Sequence, residues 1–477
     1  MTMHVPLTLE TTAPRWPRMA MMAGAIALVL STRVSASADE RLRDIATRMA
    51  RSQLFVTNCD DSGPGSLRDT IAGAASGDMV DLSQLTCSTI TLTSGAIEIP
   101  QDDLYLKYSG EGGTPPTIDG NFHDRAFHHT GTGTLKIVGL TITDGKYDNT
   151  YSAAPLYATG GCIDSSGSVY LGNSTVSHCT TRDTRGDDAG GGGIYAKQAM
   201  TLQHSVVSDN TATSTSRTAR GGGASTFGAV DIEYTAISGN SVSEYEYYSS
   251  GGGVAVLNLG QSPSTIANST ISGNEADRGG GLRFGAGGTY DAAITITNST
   301  ISGNTARSYA AGAYFRGPVS LIACTIAFNS SAEGAGVVLG THGPVQIESS
   351  ILADNTNPGA EYDLGDRGYA ITVAGSHDLI VTASSIVLPP DTVNADPMLL
   401  PLADNGGPTH THALGDGSPA IDRGDNVDAL SFDQRGNGYP RVSGGAADIG
   451  AFERPASDTI FADGFDTGAY GAGGALP

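Results

Sequence analysis

Apolar side chains between Lys136 and Asn355 recur in one arrangement. A pair stands two residues apart, a third apolar position follows five residues on, and Asn often stands three beyond that. Ile294, Ile296, Ile301 and Asn304 show it in full, as do Val319, Leu321, Ile326 and Asn329. The third position falls at 142, 176, 207, 237, 271, 301, 326 and 352, so the interval runs from 25 to 34 residues. A period of that size marks stacked repeats, each of which buries its apolar face only against its neighbours. Within a copy, Ile294-Thr295-Ile296 has the two-residue period of a strand. Glycine runs precede a further short strand, as at Gly190 to Gly193 before Ile194 and Gly251 to Gly253 before Val254. Three short strands and three corners per copy predict an all-β, right-handed parallel β-helix. Helical solenoids would need amphipathic runs of ten or more residues, and the repeats contain none.

The corner chemistry fits this reading. Asn210, Asn240, Asn274, Asn304, Asn329 and Asn355 recur at one corner, while Gly145 and Cys179 hold the equivalent earlier positions. Asn tolerates left-handed backbone, and amides stacked rung on rung can bond one another in a ladder. Glycine supplies tight corners, and no P-loop lysine or dinucleotide-binding context accompanies it. Before the coils, Gly63 to Gly65 form a turn and Ser66 is placed to cap a short helix over the open end of the solenoid. The expected organisation is a signal peptide at 1–38, a lead and capping segment at 39–79 and coils at 80–387. A C-terminal segment at 388–453 and a flexible Gly/Ala-rich tail at 454–477 follow.

Composition narrows the partners. Gly makes up 65 of 477 residues and apolar types 39 %, enough for a continuous core. Met19 to Leu30 is apolar, follows Arg15 and Arg18, and precedes Ala36-Ser37-Ala38, the layout of a secretory signal. Without residues 1–38 the chain carries 23 basic against 48 acidic residues, a net charge of −25. Such a surface repels nucleic acid and anionic membranes. After signal cleavage no stable membrane insertion is expected, because the apolar stretch is short of a span. The expected location is extracellular or at the outer cell surface. Five cysteines suit an oxidising compartment, with Cys59–Cys87 and Cys162–Cys179 as the candidate disulfides and Cys324 as a buried thiol.

Two resemblances add to this. Glycine runs followed by an aliphatic residue, with ISGN or AFNS further along, resemble the repeats of polymorphic outer-membrane proteins. Residues 394–453, with SPAID, DQRG and ADIGAFE, resemble the choice-of-anchor Q domain that follows β-helix repeats in exported bacterial proteins. Both resemblances imply an exported parallel β-helix protein. Neither implies a reaction.

Catalytic chemistry is hard to place. Asp187-Asp188 and Asp102-Asp103 are the paired carboxylates, but adjacent residues in extended chain point apart, whereas a glycosidase needs two facing one bond. Only Lys107, Lys136, Lys146 and Lys197 could serve a lyase as lysine bases. His410 and His412 alternate as a metal pair would, and His123, His128 and His129 cluster, yet hydrogen bonding to turns accounts for both sets. No metal ligand set is assigned, although clustered carboxylates could collect calcium. The sole Trp, Trp16, lies in the signal segment, so sugar stacking falls to tyrosines. Tyr245, Tyr247 and Tyr248 form one loop cluster; Tyr147, Tyr151 and Tyr157 form another. The expectation is a surface adhesin, glycan-binding protein or surface structural protein, meeting a polysaccharide or a host or neighbouring cell surface, with no identifiable catalytic site. The alternative is a polysaccharide lyase or glycoside hydrolase with its site on a strand face.

Overall fold

The computed structural model describes residues 52–456, apart from 111–112, 150–156, 186, 216, 245–248, 259–261, 286–291, 335, 341–342 and 358–361. The signal segment, most of the tail, and the candidate residues Tyr151, Tyr245, Tyr247 and Tyr248 lie outside the described residues. One coil runs from Ile294–Thr297 through Thr300–Ser302 and Thr305–Tyr309 to Ala313–Phe315. The chain then returns at Val319–Ile322, paired in parallel beside its start. Equivalent strands stack into ladders of 12, 11, 7 and 10 strands, in that order around the coil. The chain is an all-β parallel solenoid.

Central coils thus carry four strands where the apolar pattern predicts three. The extra one follows the Asn corner, as in Thr211–Ser214 and Thr305–Tyr309, and its inward residues include Ala212, Ala276 and Ala306. Alanine gives little apolar contrast against threonine and serine, so strand periodicity is weak there. A three-stranded ladder of Tyr157–Thr159, Asp188–Gly190 and Ala219–Arg220 continues this face towards the glycine corner.

Register stacks like on like. Ile237, Ile271, Ile301, Ile326 and Leu352 are Cα partners on successive coils, and all are buried. Burying each such side chain contributes about 1.5–3 kcal/mol. One core cluster extends from Val56 to Ile386.

The repeated asparagines are interior groups. Asn210 donates from Nδ2 to Oδ1 of Asn240 at 2.9 Å, and the same bond links Asn240 to Asn274, Asn274 to Asn304 and Asn304 to Asn329 at 2.9 Å, then Asn329 to Asn355 at 2.8 Å. Each Oδ1 also accepts a backbone N–H from the preceding coil, as Asn240 does from Asn210. The ladder ends on Asp363, which accepts from Asn355 and needs no further acceptor. Left-handed backbone belongs to the residue before each Asn: Asp209, Gly239, Gly273, Gly303, Phe328 and Asp354 have φ between 56° and 66°. That turn aims the amide inward.

The glycine runs are coupled to this ladder. A Cβ on Gly253 would lie 3.1 Å from Nδ2 of Asn274 and 2.6 Å from the Gly281 carbonyl oxygen; one on Gly223 would lie 2.9 Å from Cγ of Asn240. The amide stack fills the space a side chain would need.

The bend between the 12- and 11-stranded ladders holds a second stack. Ser174, Ser205, Thr235, Ser269, Ser299, Cys324, Ser350 and Asp378 occupy equivalent buried positions. Hydroxyls accept a backbone N–H from the preceding coil, as Ser269 does from Thr235 at 3.1 Å. Cys324 is the thiol in this series, with burial pushing its pKa up to about 12, so it is an inert core group.

The ends are secured differently. Helix Leu67–Ala72 is capped by Ser66, whose side chain accepts from the Asp69 N–H, and it sends Leu67 and Ile71 into the core. Disulfides Cys59–Cys87 and Cys162–Cys179 are formed, the latter where Cys179 stands in place of ladder Asn. At the other end the chain folds back along the 11-stranded ladder. Thr270 donates to the His410 carbonyl, Thr300 to Oε1 of Gln434, and the Ala451 N–H donates to Thr325. Asp433 and Arg435 pair inside this segment at 2.6 Å, with the guanidinium over Tyr439 and Phe452.

Both polar stacks bear on stability. Asn274→Ala should leave the Asn240 backbone N–H and one of its Nδ2 hydrogens without the Asn274 Oδ1 that accepts them, and lower unfolding free energy by about 3 kcal/mol, read from urea midpoints. Asp378 lies buried near Glu348 and Asp391; burial, reinforced by Glu348 and Asp391, pushes its pKa up to about 8 from 3.8. The folded state therefore binds the extra proton, so its stabilisation is full below the unfolded value and is lost as pH rises towards 8. Across that window the loss is about 1.4 kcal/mol for each step of one in pH. Asp378→Asn should flatten the fall in urea midpoint between pH 5 and pH 8; an unchanged slope would contradict it.

Candidate functional site

Outward-pointing residues of the ten-stranded ladder form a single row. Glu98, His128, Asp164 and Tyr195 are successive partners, followed by Ser225, Ala255, Arg283 and Tyr314. Pairing places neighbours about 4.8 Å apart, so the row is a strip of side-chain chemistry along the solenoid axis. Small residues at 225 and 255 leave a floor between Tyr195 and Arg283. Over that floor lies a cavity of about 260 Å³, walled by Tyr157, Tyr195, Phe227 and Leu257 and by the Asp188–Arg220 ion pair at 3.0 Å.

A smaller cavity of about 160 Å³ adjoins it and shares Arg220 and Arg283. Its other walls include Arg278, Arg316, Tyr309 and Tyr314. Tyr309 is held between the guanidinium groups of Arg278 and Arg367, at 5.3 and 4.4 Å, and meets Tyr314 edge-on. Burial pushes the Arg283 guanidinium down to about 10, helped by repulsion from Arg220 and Arg316. It is still charged at neutral pH, and its buried Nη1 has no hydrogen-bond partner among the described residues. Burial, with the nearby Asp164, pushes the Tyr195 hydroxyl up to about 12.

Of the sequence candidates, Asp188 enters this groove and Asp187 does not; the Asp187 N–H instead donates to Asp183. Tyr157 reaches the groove wall, whereas Tyr147 is half-buried beneath Arg125, 3.6 Å from its guanidinium carbon. Asp102 and Asp103 receive turn N–H groups from Thr132 and Thr134. His129 is buried, with Nε2 at the Gln101 carbonyl and Nδ1 at the Ser165 hydroxyl; burial lowers its pKa. His412 likewise lies between the Leu400 carbonyl and the Ser302 hydroxyl, so His410 and His412 do not converge as a metal pair. His128 bridges Glu98 at 2.8 Å and Asp164 at 3.7 Å, and Asp164 is neutralised by Arg125 at 2.7 Å. Lys136 sits between Tyr105 and Tyr170 on the 12-stranded face. No group of three or more potential metal ligands occurs among the described residues.

The groove arginines escaped the sequence reading because net charge hides local sign. A signal was present: Arg220 and Arg278 each stand immediately before a glycine run, at positions two coils apart in one row through Ser250. Arg283 follows the next corner by one strand residue.

Fold and site together define a parallel β-solenoid with an aromatic and arginine-lined groove on one lateral face. No family model matches the chain, and no curated protein does either. Among solved structures it is similar to one titled "Crystal structure of pectate lyase Pel9A", with 14 % identity, a TM-score of 0.40, and coverage of 85 % of this chain and 98 % of that one. No residue role is transferred from it. No described helix is long and apolar enough to cross a membrane.

Proposed function

We propose that this protein is exported and binds polysaccharide chains along its ten-stranded face, acting as an adhesin or surface glycan-binding protein. The observation that carries the proposal is the 260 Å³ cleft with aromatic walls and a floor of small residues. Sugar rings present apolar C–H faces to aromatic side chains, and hydroxyls at their edges reach polar groups such as Asp188 and Arg220. A chain polymer lying along the row would meet successive coils at about 4.8 Å spacing. Two disulfides fit an oxidising compartment, and the signal-like N-terminus supports export. The resemblance of residues 394–453 to an anchor domain supports surface retention. This segment is packed against the coils, which keeps it away from the groove face.

A lyase reading is favoured by one observation. Arg283 has a lowered pKa and lies in the same groove as Tyr195 and the Asp188–Arg220 pair. Proton abstraction beside a sugar carboxylate would need such a convergence of cation and base.

Both readings meet in one experiment, in which purified protein is incubated with a panel of polysaccharides while retention and new reducing or unsaturated ends are recorded. Binding without new ends is expected, weakened about five- to thirtyfold by Tyr195→Ala and by Phe227→Ala, since stacking contacts of this kind are worth about 1–2 kcal/mol. Ends that accumulate and disappear in Arg283→Ala would replace the adhesin reading by the lyase. Retention by both aromatic variants equal to that of the wild type would remove the cleft as the binding site.

A further inference from the structure

The smaller cavity has a composition that the protein otherwise avoids. Four guanidinium groups, from Arg220, Arg278, Arg283 and Arg316, line about 160 Å³ with the hydroxyl-bearing Thr218 and Ser250, and no carboxylate is among the described lining residues. The chain as a whole is strongly acidic, with a formal charge of −23. Buried cations elsewhere are matched: Arg125 meets Asp164 at 2.7 Å and Arg435 meets Asp433 at 2.6 Å. Arg283 and Arg316 have no ion-pair partner among the described residues, and Arg220 pairs with Asp188 at 3.0 Å.

Bringing like charges together in a partly desolvated hollow raises the free energy of the empty site. A guanidinium fork matches the oxygens of carboxylate and sulfate groups, and rigid forks lose little entropy on binding. Tyr309 clamps Arg278 and Arg367 in place by stacking. The volume suits one small charged group, and its shared walls join it to the aromatic cleft.

We infer that this cavity is a subsite for a compact oxyanion, a sulfate ester or a uronate carboxylate, carried on the glycan that occupies the neighbouring cleft. The inference rests on the glycan reading of that cleft and adds the charge class of the ligand. Overall acidity then acts as a filter: polyanions are repelled along most of the surface and admitted where the arginines converge.

The test has two stages. Calorimetric titration with sodium sulfate against a chloride background of matched ionic strength should show saturable binding, reduced at least tenfold in Arg283→Gln and in Arg316→Gln. In chloride alone Arg283→Gln should melt no lower than the wild type, because the variant removes an unmatched cation; Arg316→Gln serves if that substitution disturbs folding. Absence of sulfate binding by the wild type, or binding by both variants equal to that of the wild type, overturns the subsite. Retention is then compared for a sulfated polysaccharide and its desulfated form, and for a polyuronate and its methyl ester. A tenfold loss within one pair, absent in Arg283→Gln, identifies the source of the oxyanion. Equal retention within both pairs overturns this inference and leaves the glycan-binding proposal standing. Sulfate binding with no polysaccharide retained does the reverse, supporting the anion pocket and removing the glycan proposal.

Discussion

The structure depends on the side-chain amide stack from Asn210 to Asn355 and the glycine corner packed against it. An amide has both a donor and an acceptor, so each Asn can accept from the coil before it and donate to the coil after it. A polar group in the interior is tolerated only when its bonds are made. In this stack the bonds are made only if every coil stacks in register, and a slip of one residue would break them along the whole solenoid. The third glycine of each run leaves room for the amide beside it. Neither feature is useful without the other, which is why they recur together.

With register set internally, the outer faces are free to differ. Outward threonines of the 11-stranded ladder receive the returning C-terminal segment through Thr270, Thr300 and Thr325. The ten-stranded face has no such cover among the described contacts and carries the groove. Buried acids mark the ends of both polar stacks: Asp363 closes the amide ladder and Asp378 the hydroxyl one. At Asp363 an acceptor-only carboxylate suits the terminus, since no further coil follows to accept a proton. The consequences differ, because Asp363 receives bonds from Asn355 and Thr382 on both oxygens, while the Asp378 Oδ2 is left without a partner.

Much of the interior was legible in the apolar spacing, because a stacked fold repeats its inward residues at equal intervals. The fourth strand was less so, since its inward alanines barely differ from the serines and threonines around them. The hydroxyl stack went unread for a similar reason: Ser and Thr at bends are expected in loops, and burial is what separates Ser269 or Ser299 from a solvated turn. His410 and His412 show the opposite difficulty. Their alternation is compatible with metal binding, and only the docking of their segment places His412 against Ser302 and Leu400.

By itself the sequence determined the repeating coil, the stacking of its apolar and amide positions, the cysteine pairs and the capping helix. Each of these rests on spacing between nearby residues or on a pattern that returns once per coil. The tertiary structure alone decided which outward residues meet. Arg220, Arg278, Arg283 and Arg316 are spread over nearly a hundred positions in a chain of acidic character, and they converge because parallel stacking brings equivalent points of successive coils within a strand spacing. Local charge depends on that convergence, while composition reports only the average.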